Sequence, residues 1–234
     1  MTLVVAFCSM VYELLLAQTL SATMGNTNFR YNLTIGLYLA SLGLGAFLFG
    51  RRKRHDDTAL LIDVELWLSL CGSTAPVLVL AFDAAAHALC DATGASFSGL
   101  PIQLAVHIAN HGLIVIIGLL SGYELPLLMA IGAANDETGP GHRVLITDYV
   151  GTLLAALSFP LWLLPTFGVF GVAALAGLLN VLTALFLQTR HTEHPSPART
   201  FLAALGATLL AFGVARSDLV TRFAVDTLYA RPLH

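Results

Sequence analysis

The chain has 234 residues, of which 57% are hydrophobic and 11% charged, with a formal net charge of −3 and a mean hydropathy of +0.80. Soluble domains carry about 25% charged residues, so the composition excludes an ordinary water-exposed surface. The small net charge and the single lysine, Lys53, exclude nucleic acid as a partner.

Three cysteines, Cys8, Cys71 and Cys90, are scattered without paired spacing, so no disulfide framework, structural metal or cofactor is expected. The apolar start lacks a basic leader and a small-residue cleavage site, so a removed signal peptide is not expected.

A membrane-crossing helix needs roughly 20 apolar residues. Stretches of that kind run from Thr2 to Met24, Tyr31 to Gly50, Ala59 to Phe82, Ile102 to Ala133, Val144 to Leu164, Val169 to Gln188 and Phe201 to Ala215. The expected fold is therefore all-α, a polytopic transmembrane helix bundle of about seven spans over residues 1–215. The remaining residues, 216–234, form a C-terminal tail.

The first turn, "GNTNFRYN", is rich in turn formers and joins the first two spans as an antiparallel hairpin. After the second span comes the basic cluster "RRKRHDD". Positive charge marks the cytoplasmic side, which places the N-terminus inside and the loop from Asp83 to Pro101 outside. Arg143, Arg190 and Arg199 then fall in inside loops. An odd number of spans sends the tail outside with Arg216, Arg222 and Arg231, against the rule, unless one span is re-entrant. The expected location is a cell (inner) membrane, with the lipid bilayer as surroundings. Small residues four apart, Gly36 with Ala40, Ser41 with Gly45 and Ala173 with Gly177, allow helices to approach closely.

The acids within these spans carry the functional signal, because charge at membrane depth is costly and usually has a partner or a task. Glu13 lies in the first span, Asp63 and Glu65 in the third, Glu124 in the fourth and Asp148 in the fifth. Pro126 follows Glu124 and cannot donate to the carbonyl of Gly122, so the fourth stretch is expected to kink or unwind between Gly122 and Pro126. Breaks of this kind mark substrate or ion sites in transporters. Aromatic residues stand near the acids in sequence: Tyr12 by Glu13, Trp67 by Glu65, Tyr123 by Glu124 and Tyr149 by Asp148. Carboxylates with aromatic faces suit organic ammonium groups. The competing reading makes Asp63, Glu65 and Asp148 solvated helix-start residues, and Glu13 and Glu124 partners between helices.

His107 and His111 share one face of the fourth helix and have the spacing of a metal pair, with His87 and Asp91 as potential helpers. The alternative makes them polar residues of a helix end, or partners of Gln18. No GxSxG elbow, Walker loop or HExxH helix occurs, and the glycines of "SLGLGAFLFG" and "GVFGVAALAG" sit in apolar spans.

Three stretches, "VYELLLAQTLSATMG", "GLLSGYELPLLMAIG" and "ITDYVGTLLAALSFPLWLLPTFG", with the intervening "LTIGLYLASLGLGAFLFGRRKR", resemble the membrane portion of the membrane-bound spermidine-synthase-like proteins, the polyamine aminopropyltransferases. The resemblance covers roughly residues 4–190. It implies a soluble, Rossmann-like catalytic domain after the helices, with a glycine-rich loop for decarboxylated S-adenosylmethionine and acidic residues for the diamine. This sequence ends at "DTLYARPLH", about where that domain would begin, and has no counterpart of the loop or the catalytic aspartates. No catalytic residue is carried over. The expected function is a multi-pass membrane module that binds or transports polyamines or related organic cations, with Glu13, Tyr12, Glu124, Tyr123, Asp148, Tyr149, Glu65 and Asp63 as cation-binding residues. The alternative is a membrane anchor or scaffold for a separate, soluble aminopropyltransferase partner. Catalysis by this chain in isolation is a third reading.

Overall fold

The computed structural model describes residues 1–24, 27–52, 56–94, 100–135, 140–191, 197–219 and 221–222. The described residues are helical almost throughout, as the apolar runs require. Seven α-helices follow in order: α1 (Thr2–Thr23), α2 (Thr27–Arg51), α3 (Asp57–Thr93), α4 (Leu100–Asn135), α5 (Pro140–Ser158), α6 (Leu164–His191) and α7 (Pro197–Ala215). A single π-helical turn, Phe159–Leu163, joins α5 to α6.

α1 is the central helix, touching α2, α3, α4, α5 and α6. Its side chains Cys8, Val11, Tyr12, Leu15 and Leu16 are buried on several faces, which explains why it is apolar around its circumference rather than along one stripe. α2 packs mainly on α4, α3 on α6, α5 on α1, and α7 on α6.

Among the described residues, five stretches of helix are long and apolar enough to cross a membrane, not seven. The fifth runs from Gly141 to Arg190 and contains the fifth and sixth expected spans, joined through the π-turn. The two fold back on each other, since Gly151 lies against Leu3 while Leu179, Thr183 and Phe186 lie by Met1 and Val4. Its interruption comes at Gly168, whose φ of 65° and ψ of 178° are open essentially to glycine alone. The seventh expected span, in α7, has an apolar helix only from Leu202 to Ala215, below spanning length.

Two further expectations are corrected. Asp83 to Thr93 does not form a loop but continues α3 to a left-handed cap at Gly94, φ 66°. The Asp83–His87 contact, four residues apart, belongs to that extra length. Nor does α4 unwind at Gly122 to Pro126: the helix is continuous from Leu100 to Asn135 with Pro126 inside it. Gly122 serves close approach instead. A β-carbon there would strike the Leu42 carbonyl and come within 2.9 Å of the Gly45 α-carbon, so α2 and α4 touch backbone to backbone. Of the small-residue pairs, Ser41 with Gly45 and Ala173 with Gly177 lie in interfaces, whereas nothing approaches Gly36 within 4 Å.

At the start of α3, the Asp56 side chain accepts from the Ala59 amide at 3.0 Å, and Asp57 stands in the first turn. These acids complement the helix dipole. Lys53, Arg54 and the tail beyond 222 lie outside the described residues.

Candidate functional site

The central feature is a pair of acids in the core. Glu65 of α3 is 0% exposed and Glu124 of α4 is 3% exposed. Both Glu65 carboxyl oxygens and Glu124 Oε1 lack a hydrogen-bond partner among the described residues. The two acids are within electrostatic reach of each other, and both reach Tyr12 and Cys8 of α1. The Tyr12 hydroxyl is also buried and unpartnered. Cys8 Sγ points to the Ala176 carbonyl of α6 at 3.7 Å.

A hydroxyl network borders this pair. Tyr38 Oη of α2 lies 2.9 Å from Ser121 Oγ on α4 and 3.0 Å from the Ser9 carbonyl on α1. It has one proton to donate between these acceptors, and its oxygen is 3.1 Å from Ser9 Oγ. The Ser9 hydroxyl in turn interacts with the Glu124 carboxyl. α1, α2 and α4 are thus tied together beside the acids.

The structure brings Glu65, Glu124 and Tyr12 together, with Asp148 of α5 at electrostatic range of Glu124. The rest have other surroundings. Glu13, 6% exposed, is within electrostatic reach of Tyr31 and of Tyr38, the tyrosine that borders Glu124. The Tyr123 ring stands edge-on to Phe49, 6.2 Å between centroids. Tyr149 and Trp67 are 67% and 57% exposed, and Asp63 is half-buried. The reason is geometric: neighbours in a helix point roughly 100° apart and do not share a face. Sequence adjacency alone therefore does not bring an acid and its aromatic neighbour onto one face, whereas Tyr12 lies within electrostatic reach of Glu65 and Glu124.

Ser9, Tyr38, Ser121 and Cys8 were not singled out by the sequence. Their signal is helical spacing, since Cys8 stands four residues before Tyr12 and Ser121 three before Glu124.

His107 and His111 are engaged otherwise than as a metal pair. His111 Nδ1 donates to the His107 carbonyl at 2.7 Å. The His107 ring nitrogens face Arg30, Nη1 to Nδ1 at 3.1 Å and Nη2 to Nε2 at 3.4 Å. Among the described residues no three His, Cys, Asp or Glu side chains converge as a metal site.

No protein-family profile matches the chain. Curated proteins do. Over 97% of its length the chain is 30% identical to the polyamine aminopropyltransferase of Leptospira interrogans serogroup Icterohaemorrhagiae serovar copenhageni. Over 98% it is 32% identical to that of Corynebacterium efficiens, and over 97% it is 30% identical to that of Mycobacterium tuberculosis. The chain is related to the polyamine aminopropyltransferases. It spans 43% of the length of each of these relatives. No solved structure matches.

These relatives correct the functional expectation. Sequences matching nearly all of this chain carry the name of an aminopropyltransferase, an enzyme. The reading as a binding or transport module in place of an enzyme, and the reading as an anchor for a separate synthase, are both overturned by that name.

Proposed function

We propose that this chain works within a polyamine aminopropyltransferase, an enzyme that moves an aminopropyl group onto an amine. The observation that carries the reading is similarity along almost the whole chain to proteins of that name in several bacteria. The core chemistry is compatible with it. Glu65 and Glu124, with no basic partner in contact among the described residues, place two carboxyl groups in a desolvated core, and an ammonium group entering beside them would pair with their ionised form. In this reading Glu124, Glu65 and Tyr12 hold a protonated nitrogen of the amine substrate, while Asp148 adds negative potential from α5.

The helices of the same enzyme lie in a lipid bilayer. Support comes from five apolar helices of spanning length and from outward-facing side chains such as Leu161, Trp162, Leu209 and Phe212, which are 59–77% exposed. Soluble surfaces rarely carry that much contiguous apolar area. With Arg51, Arg52, Arg143 and Arg190 on the cytoplasmic side, the N-terminus is inside.

The test is aminopropyl transfer from decarboxylated S-adenosylmethionine to putrescine, measured in membranes of the source cells with and without the Glu124→Gln substitution. Loss of transfer at an unchanged level of the protein supports the reading; unchanged transfer refutes it. Recovery of the protein in the carbonate-soluble fraction would refute the bilayer placement separately.

A further inference from the structure

At the end of the bundle away from Arg51 and Arg190, the end of α1 and the first turns of α2 meet the C-terminal half of α3 and the start of α4. A cavity of about 130 Å³ opens there, lined among others by Thr23, Arg30, Asp83, Gln103 and His107. One water occupies roughly 30 Å³ of liquid, so the space holds a small polar group rather than one solvent molecule.

The charges lining it are unusual. Arg30 stays ionised in any protein environment, yet no carboxylate pairs with it among the described residues. Its Nη atoms face the His107 ring, and its Nε is buried without a partner. Asp83 lines the same cavity but pairs with His87 of its own helix, 3.5 Å away. A cation and an anion therefore share one cavity without touching each other. A half-buried charge with a buried, unused donor is favoured by a counter-charge, and Arg30 and Asp83 line the same cavity with opposite demands.

We propose that this cavity binds a phosphate group that bears a primary ammonium, the chemistry of phosphoethanolamine. The phosphate sits on the free N–H groups of Arg30 with the Gln103 amide, and the ammonium on Asp83. Phosphate suits the site better than a lone carboxylate, because its tetrahedral non-bridging oxygens, two in a diester and three in a monoester, can accept from Arg30 and Gln103 in different directions at once. A trimethylated ammonium has no N–H to give Asp83, so phosphocholine is discriminated against. A lipid headgroup and a free phosphoethanolamine both offer this chemistry. The site is distinct from the Glu65–Glu124 pair and does not depend on the proposed transferase activity.

The experiment is calorimetry on the purified full chain in detergent with phosphoethanolamine, phosphocholine and ethanolamine. Phosphoethanolamine binds roughly tenfold or more tightly than the other two. Arg30→Gln and Asp83→Asn each reduce that affinity by about the same factor, and Asp83→Glu retains it. Should Arg30→Gln fail to fold by circular dichroism, the Asp83→Asn and Asp83→Glu pair decides. Absence of phosphoethanolamine binding, equal binding of phosphocholine, or indifference to Asp83→Asn overturns the proposal. A second arm compares retention of phosphatidylethanolamine and phosphatidylcholine of the same acyl chains by native mass spectrometry. Selective retention of the former assigns the site to a lipid; no selectivity alongside calorimetric binding assigns it to the free compound.

Discussion

Tyr38 Oη on α2 lies 2.9 Å from Ser121 Oγ on α4, in the buried layer next to the core acids. The contact joins the helix carrying Glu124 to the one that packs most extensively against it, and Ser9 extends it to the central helix. Tyr38→Phe removes the hydroxyl that donates to Ser121 on α4. A net hydrogen bond contributes about 1 kcal/mol, and inter-helix bonds within bilayers average about 0.6 kcal/mol. The substitution is expected to lower unfolding stability by about 1 kcal/mol in a denaturant titration, and Ser121→Ala by a similar amount. Because the two share one bond, the double variant costs less than their sum.

Backbone contact between α2 and α4 makes a sharper contrast. Gly122→Ala places a methyl group against the Leu42 carbonyl and the Gly45 α-carbon, and overpacking of this kind costs about 1–3 kcal/mol. Gly36→Ala adds a methyl group where nothing lies within 4 Å. Thermal unfolding should show a clear loss for the first and none for the second.

Gly168 sets the direction of α6. Its φ of 65° with ψ of 178° is hostile to any residue with a β-carbon, and such strain costs about 1–3 kcal/mol. Gly168→Ala is expected to destabilise the chain by that amount, read in the same assay. An unchanged midpoint would mean that the break at this position is not required.

Glu65 and Glu124 carry no structural hydrogen bond at three of their four oxygens. A residue retained for stability should lose stability when truncated. These two should not: Glu65→Gln and Glu124→Gln keep the carboxyl shape, remove an ionisable group from a desolvated site, and are expected to match or exceed the parent in unfolding midpoint. In the transfer assay both are expected to lose activity roughly tenfold or more, the scale of one lost charge-assisted contact.

The helices were legible because apolar length is a direct signal of them. Glu124 was legible as buried because it stands in an otherwise apolar run. The continuation of α3 through Asp83, His87 and Asp91 was misread, since charged residues in an apolar chain look like a loop; their spacing of four, and Gly94 as a stop, carried the helical signal. Of the neighbours of Glu124, Tyr12, Glu65 and Asp148 are grouped with it by the sequence, whereas Tyr38 and Ser9 are not. Which faces meet depends on packing at Gly45 and Gly122 rather than on distance along the chain. Adjacency misled for the same reason: Tyr123 follows Gly122 in sequence but turns to Phe49.

The most direct test of the account is aminopropyl transfer to putrescine in membranes of the source cells, comparing the parent with Glu124→Gln at equal protein level. The account predicts that transfer falls by about tenfold or more while the protein remains folded. Full transfer in the folded variant would contradict it.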